Sequence, residues 1–322
     1  MNKIDINDYL IDLDEEIVDI EAIYSIGDVP VFSKGNISVI TGKQKAGKGF
    51  FISLSVSEIL RNNEDETVLI CDTEQAKFHV IKAAKRIPQL LECETSDIKD
   101  RLKVLKLREL SFEERTKVIE AAILELKPIF CVIDGVRDLL GDINNSKESS
   151  ELVGKLMKLS TVCNNHICVI LHTNKTNDNA RGHLGTELLN KSETIVSITK
   201  DRITKIMKVS PVDSRNIDFK EFSFKVNDCG LPEFCEPPIK SKSTEKLESL
   251  FDELLPENVY LTHSDLQKKI MEKCNVKKTA AQNKIKEATE QGLIKKNNAS
   301  SYYRPTEQEE QEDLDFTDDS PD

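Results

Sequence analysis

The apolar run Ile37-Ser38-Val39-Ile40-Thr41 leads straight into Gly42-Lys43-Gln44-Lys45-Ala46-Gly47-Lys48-Gly49, and a helical pattern begins there. A turn of this kind, with glycines near both ends, lets successive backbone N–H groups face inward around phosphate oxygens. The helix that follows adds partial positive charge at its N-terminus, and a lysine on its first turn can bridge the outer phosphates. Residues Gly42, Lys43, Gln44, Lys45, Ala46, Gly47, Lys48, Gly49 and Phe50 are therefore the candidate binding loop for a nucleoside triphosphate, ATP by default, with Lys48 also a catalytic cation. One position departs from the pattern. A serine or threonine hydroxyl after the lysine would ligate Mg2+, and this chain has Gly49. Water can complete the magnesium shell, or the metal binds weakly; nucleotide binding survives the loss more easily than fast hydrolysis. Without a ligand, the same residues are a glycine-rich strand-to-helix turn.

Three further strand ends carry polar groups. Pro128-Ile129-Phe130-Cys131-Val132-Ile133 ends in Asp134, a candidate Mg2+ ligand, held directly or through water. Val68-Leu69-Ile70-Cys71-Asp72-Thr73 runs to Glu74, just past the strand, where a carboxylate can polarise an attacking water. The alternative for Glu74 is a solvated loop acid or a helix cap. Ile167–Leu171 ends in His172, which can touch the γ-phosphate and relay its presence to the loop Thr173–Gly185, or be an ordinary surface histidine. That loop contains Arg181-Gly182-His183 and reads as a contact for DNA or a neighbouring subunit, or as a plain surface loop.

Taken in order, these motifs resemble the RecA-like ATPases of the RepA and DnaB helicase branch over roughly residues 30–235. The local wording is closer still to AAA-type ATPases carried on bacterial plasmids and mobilisable elements: Asp72-Thr73-Glu74-Gln75, Ile133-Asp134-Gly135-Val136-Arg137-Asp138-Leu139, Leu171-His172-Thr173-Asn174-Lys175 and Arg181–Leu188. The resemblance implies a RecA-like α/β core that assembles into a ring, usually of six. It also implies that Lys200 and Arg202, in Lys200-Asp201-Arg202, reach into the adjacent subunit's nucleotide. Read from the residues alone, the same three are an exposed hairpin turn.

The elements that must position these groups alternate along the chain. Strand candidates are Ile37–Thr41, Val68–Asp72, Lys103–Leu107, Ile129–Asp134, Ile167–Leu171, Thr194–Thr199, Lys205–Val209 and Glu221–Val226. Amphipathic stretches at Lys48–Leu60, Ala76–Ile87, Phe112–Leu126 and Lys147–Asn164 separate the early ones. That alternation predicts a parallel sheet covered on both faces, with antiparallel strands added at one edge past residue 194. The expected organisation is an acidic N-terminal segment (1–28), an α/β ATPase domain (29–230), a proline-bearing linker (231–246), a compact unit (247–305) and an acidic tail (306–322).

The compact unit reads as three helices, Leu247–Leu255, one opened by Thr262, and Thr279–Gln291, followed by a hairpin at Leu293–Lys296 and Ser301–Arg304. This is a winged-helix pattern. Residues 266–305 hold ten Lys/Arg against three acids. Lys278, Gln282, Lys284 and Lys286 lie on or just before the third helix, the one that would enter a DNA groove, and Lys295 and Lys296 would meet phosphates from the wing. Winged helices also dock proteins, so a protein partner is the alternative.

Bulk properties narrow the classes further. The net charge of −12 comes from the two ends, which carry −8 and −9, so the body between them is net basic. Trp is absent and aromatics are 5%, which argues against large base-stacking platforms. No apolar run approaches the ~20 residues of a membrane span. The acidic start lacks the basic and apolar regions of a signal peptide, making the cytoplasm the default location. The eight cysteines include no CxxC pair and read as reduced thiols.

Overall fold

The computed structural model describes residues 6–14, 16, 21–173, 182–201, 203–237, 242–256, 259–290, 292–297 and 300–305. The acidic tail 306–322 and residues 1–5, 15 and 17–20 lie outside that set, as do Arg181 and Arg202.

After a 3-10 turn at Ile6–Tyr9, a hairpin of β1 (Ala22–Ile26) and β2 (Val29–Ser33) precedes the main sheet. The chain then runs through β3 (Ile37–Gly42), α1 (Lys48–Asn62), β4 (Val68–Asp72), α2 (Lys77–Leu91), the single-turn α3 (Thr95–Ile98) and β5 (Leu102–Lys106). It continues through α4 (Phe112–Leu126), β6 (Phe130–Asp134), α5 (Ser146–Val162), β7 (His166–His172), α6 (Gly182–Lys191) and β8 (Thr194–Lys200). β9 (Met207–Ser214), β10 (Phe222–Val226) and β11 (Pro232–Cys235) close it. The result is a mixed α/β fold around one nine-stranded sheet of order β11-β10-β9-β8-β3-β7-β6-β4-β5. Strands β3 to β8 are parallel, and β9, β10 and β11 join antiparallel at one edge.

The parallel strands are apolar along their length because helices cover both faces. On one face α1 buries Phe51, Ile52, Val56, Ile59 and Leu60 against Ile40, Val132, Cys168 and Ile170. On the other, Ile119 and Ile123 of α4, Leu152, Val153 and Leu156 of α5, and Leu184 and Leu188 of α6 pack on Val39, Leu69, Ile133, Ile167 and Val169. The chain thus leaves β3 toward one face and its neighbour β7 toward the other. In open α/β sheets ligands bind at the carboxyl ends of strands that part in this way.

Several elements differ from the sequence reading. The supposed acidic segment includes β1, and the hairpin buries Ile23, Val31 and Phe32 in the core. Ser33 at its end is tied to the base of the sheet. Glu193 accepts from Ser33 N at 3.1 Å and from its hydroxyl, and His166 Nδ1 donates to Ser33 O at 2.7 Å. Burial holds the His166 imidazole neutral, with its pKa down at about 4, and pushes the Glu193 carboxyl up. β11 falls in the expected linker, which shortens accordingly, and α6 begins inside the expected loop after His172.

The C-terminal unit has its own core of Leu247, Phe251, Leu255, Leu266, Ile270, Ala281, Ile285 and Ile294. It comprises α7 (Lys242–Leu254), β12 (Leu261–Thr262), α8 (His263–Cys274), α9 (Lys278–Glu290), β13 (Lys295–Lys296) and β14 (Ser301–Tyr303), with sheet order β12-β14-β13. Thr262 caps α8 by accepting from Asp265 N at 3.2 Å. The short strand β12, which pairs Leu261 with Tyr302, was not legible in the sequence. Ile203, in the turn after β8, packs against this core. No described helix is long and apolar enough to cross a membrane.

Two glycines predict opposite stability effects. A β-carbon on Gly135, at φ 95°, would stand 2.1 Å from Thr73 Oγ1, whereas one on Gly49 meets nothing within 4 Å. Gly135→Ala should cost roughly 2–4 kcal/mol in urea unfolding. Gly49→Ala, in the first turn of α1, should be neutral or stabilise by up to ~1 kcal/mol.

Candidate functional site

The loop between β3 and α1 folds as a tight cradle. Gly42 has φ 150° and Gly47 φ 97°. A β-carbon would stand 2.3 Å from Ile198 O at Gly42 and 2.6 Å from Met207 Cγ at Gly47. β8 and β9 therefore press on the loop from behind, and only glycine fits at these two points. Lys48 is 6% exposed. Its ammonium donates to Gly42 O at 2.9 Å and Lys43 O at 2.6 Å, which folds the side chain back over the loop. Lys43, Gln44 and Lys45 are exposed around the rim. Phe50 differs from the others: its N–H is committed to Gly47 O at 3.0 Å, and its ring lies 4.1 Å beneath the Arg86 guanidinium of α2.

Opposite this cradle stand the tips of β4, β6 and β7. Register places Asp72 beside Asp134 and His172 beside Gly42. β7 lies between β3 and β6, so His172 separates the loop from the Asp134 strand. Asp72 Oδ1 accepts from Glu74 N at 3.0 Å and Gln75 N at 2.7 Å, and Oδ2 accepts from Gln75 Nε2 at 2.9 Å. This turn aims Glu74 toward His172, whose Nε2 lies 3.4 Å from its carboxylate. Thr73 clamps the two strand tips together. Its hydroxyl donates to Asp138 Oδ2 at 2.9 Å and sits 2.9 Å from Asp134 O.

The electrostatics follow from three carboxyl groups meeting at a sheet end. Burial, and then the charges of Asp72 and Glu74, push Asp134 up to about 7, against the opposing pull of His172 and Lys48. Glu74 is held below the usual range, first by its hydrogen bond to His172, with Lys48 and Arg137 also contributing. Asp72 is raised by burial in spite of its backbone hydrogen bonds. Two buried polar atoms here, His172 Nδ1 and Thr173 Oγ1, have no hydrogen-bond partner among the described residues.

No protein-family model matches the chain, and no curated protein is significantly similar to it. The reading of this site therefore rests on its geometry. Among the described residues no group of three or more histidine, cysteine or acidic side chains is arranged to hold a metal ion by itself. Any cation at Asp134 would need oxygens from a ligand or from water to complete its shell.

The structure brings Gly42–Gly49, Lys48, Glu74, Asp134 and His172 to one end of the sheet. Lys200 ends β8, on the far side of β3 from Asp134, and Arg202 lies outside the described residues. Sequence reasoning gave no role to Asp72, Thr73, Arg137 or Thr173. For the first three the signal was their place in the runs after β4 and β6.

In the C-terminal unit, Lys278, Gln282 and Lys286 are exposed at four-residue spacing on one face of α9. Lys284 does not join them: at 100° per residue it projects about 160° round from Gln282. Lys286 lies 3.8 Å from Glu290, a weak exposed pair. Lys295 and Lys296 form β13, with Lys296 standing 5.9 Å over the Tyr302 ring.

Asp134 yields a pH prediction. A free aspartate titrates near 4 and this one at about 7, so its charged form is the one the fold disfavours. The resulting destabilisation is absent below the unfolded value, grows as pH rises between the two, and is complete above the folded one. Asp134→Asn should therefore raise stability by roughly 1–2 kcal/mol at pH 8, and this advantage should shrink steadily as pH falls toward 4 in urea titrations.

Proposed function

We propose that this chain is a P-loop ATPase with a RecA-like core and a winged-helix-like C-terminal domain that binds DNA. It would work in the cytoplasm as a ring-forming motor or loader in replication or mobilisation of a plasmid-like element. The observation that carries the reading is the glycine cradle, too tight for any β-carbon at Gly42 and Gly47, with a buried lysine at its mouth and two strand-tip carboxylates facing it. The position of β7 between the loop strand and the Asp134 strand, and the antiparallel edge after β8, support the RecA-like assignment. The helix order, the three-stranded sheet and the basic face of α9 support the winged-helix one.

The residues fit a magnesium nucleotide: Asp134 is a carboxyl group whose charge the site disfavours until a cation arrives. Bound Mg2+ would neutralise charge on the β- and γ-phosphate oxygens. The chain's own groups divide the remaining work. Backbone N–H groups of the loop hold the phosphates, and Lys48 exchanges its two carbonyl partners for phosphate oxygens. Glu74 takes the proton of a water that attacks the γ-phosphorus as the bond to the ADP oxygen breaks. His172, in contact with Glu74, senses whether the γ-phosphate is present.

A second reading, an ATP-gated DNA-binding regulator with little turnover, is favoured by Gly49 alone. The open space at that position makes the two separable, because a β-carbon there meets nothing within 4 Å. Calorimetric titration with Mg-ATP should show binding by wild type and its loss in Lys48→Ala; a well-folded wild type that takes up neither ATP nor GTP ends the proposal. Gly49→Thr should raise DNA-stimulated turnover, roughly tenfold or more if the missing hydroxyl is what limits it. Lys278→Ala with Lys286→Ala should weaken DNA binding across sequences and flatten its log–log salt dependence by about two units.

A further inference from the structure

The run after β6 presents one further cation, Arg137. Gly135 takes φ 95° and starts a 3-10 turn, Val136–Leu139. That turn is held on every side. Val136 and Leu139 are buried at 0% and 3% exposure. The Asp138 carboxylate accepts from the Thr73 hydroxyl at 2.9 Å, and its carbonyl accepts from Arg115 Nη1 at 3.0 Å. Asp138 N closes the turn on Gly135 O at 2.9 Å. Between these anchors Arg137 is exposed, and its guanidinium makes no hydrogen bond or ion pair to a described residue. Its charge reaches Glu74 across the site, yet no ion pair forms.

We propose that Arg137 is a catalytic cation supplied by the same chain, whose guanidinium grips the outermost phosphate of the bound triphosphate. This rests on the ATPase reading and adds a residue to it. Among the described cations facing Asp72, Glu74 and Asp134, Lys48 is bonded across its own loop and His172 faces Glu74. Arg137 is the one held ready and unmatched. A planar guanidinium suits the task because it meets two phosphate oxygens at once, and its pinned backbone needs no rearrangement when charge develops. Such a group contributes to ATP and not to ADP, since only ATP has the γ-phosphate. It also makes the site less dependent on cations from a neighbouring subunit.

The test compares ATP and ADP affinities, measured with fluorescent nucleotide analogues and Mg2+, for wild type, Arg137→Ala and Arg137→Lys. Wild type should prefer ATP by about tenfold or more. Arg137→Ala should collapse that ratio toward one while ADP affinity stays within about twofold, and Arg137→Lys should fall between. Turnover should drop about 100–1,000-fold in Arg137→Ala with KM for ATP changing far less. If Arg137 acted only by tuning Glu74, the pH profile of turnover would move and the ATP-to-ADP ratio would not; that result overturns the proposal. An Arg137→Ala protein that keeps its ATP preference does so too, while leaving the ATPase reading intact. A wild type that binds neither nucleotide removes both.

Discussion

At the carboxyl end of the sheet three glycines lie so close to a neighbouring element that a β-carbon is excluded, and the site's geometry depends on this. Gly42 lies against Ile198 O, Gly47 against Met207, and Gly135 against Thr73. Each contact joins a different pair of elements: β3 to β8, the loop to β9, and the β6 tip to the β4 tip. Because these joints leave no room for a β-carbon, packing constrains the elements that carry Lys48, Glu74 and Asp134. The long apolar strands behind them supply the burial that keeps the joints closed.

That closeness has an electrostatic consequence. Three carboxyl groups share a small space from which water is partly excluded, and they cannot all ionise comfortably there. Asp134 takes most of the burden, and Glu74 is spared by His172. This end of the sheet therefore favours a positive charge beside Asp134.

Much of the fold was legible in the sequence where the physics is repetitive. Buried parallel strands must be continuously apolar, so Val68–Asp72 and Ile167–Leu171 stand out, and their polar ends mark the site. The failures occur where burial is brief or composition misleads. β1 hides in a stretch dominated by acids, because Ile23 alone of its five residues is buried. β11 starts at a proline and lies at a sheet edge, where few constraints act on its residues. β12 is two residues long and exists only because β14 pairs with it. At the site, the lysine, the acids and the histidine could be read from type and spacing. Asp72, Thr73 and Arg137 could not, because their importance lies in which strand tip is next to which, and a linear pattern does not contain that adjacency.

The seating of Ile203 on the C-terminal core changes what kind of attachment the unit of residues 242–305 has. A unit joined only through its polypeptide would sweep a broad cone, and anything held on α9 would arrive at the sheet from any bearing. A second foothold on the turn after β8 narrows that cone. The same turn is braced within itself, with Asp201 Oδ1 accepting from Ile203 N at 3.0 Å and Thr204 N at 2.8 Å. At the base of this hairpin, Met207 touches Gly47. The two halves of the molecule therefore share one hairpin, which meets the glycine cradle at Met207 and the C-terminal core at Ile203.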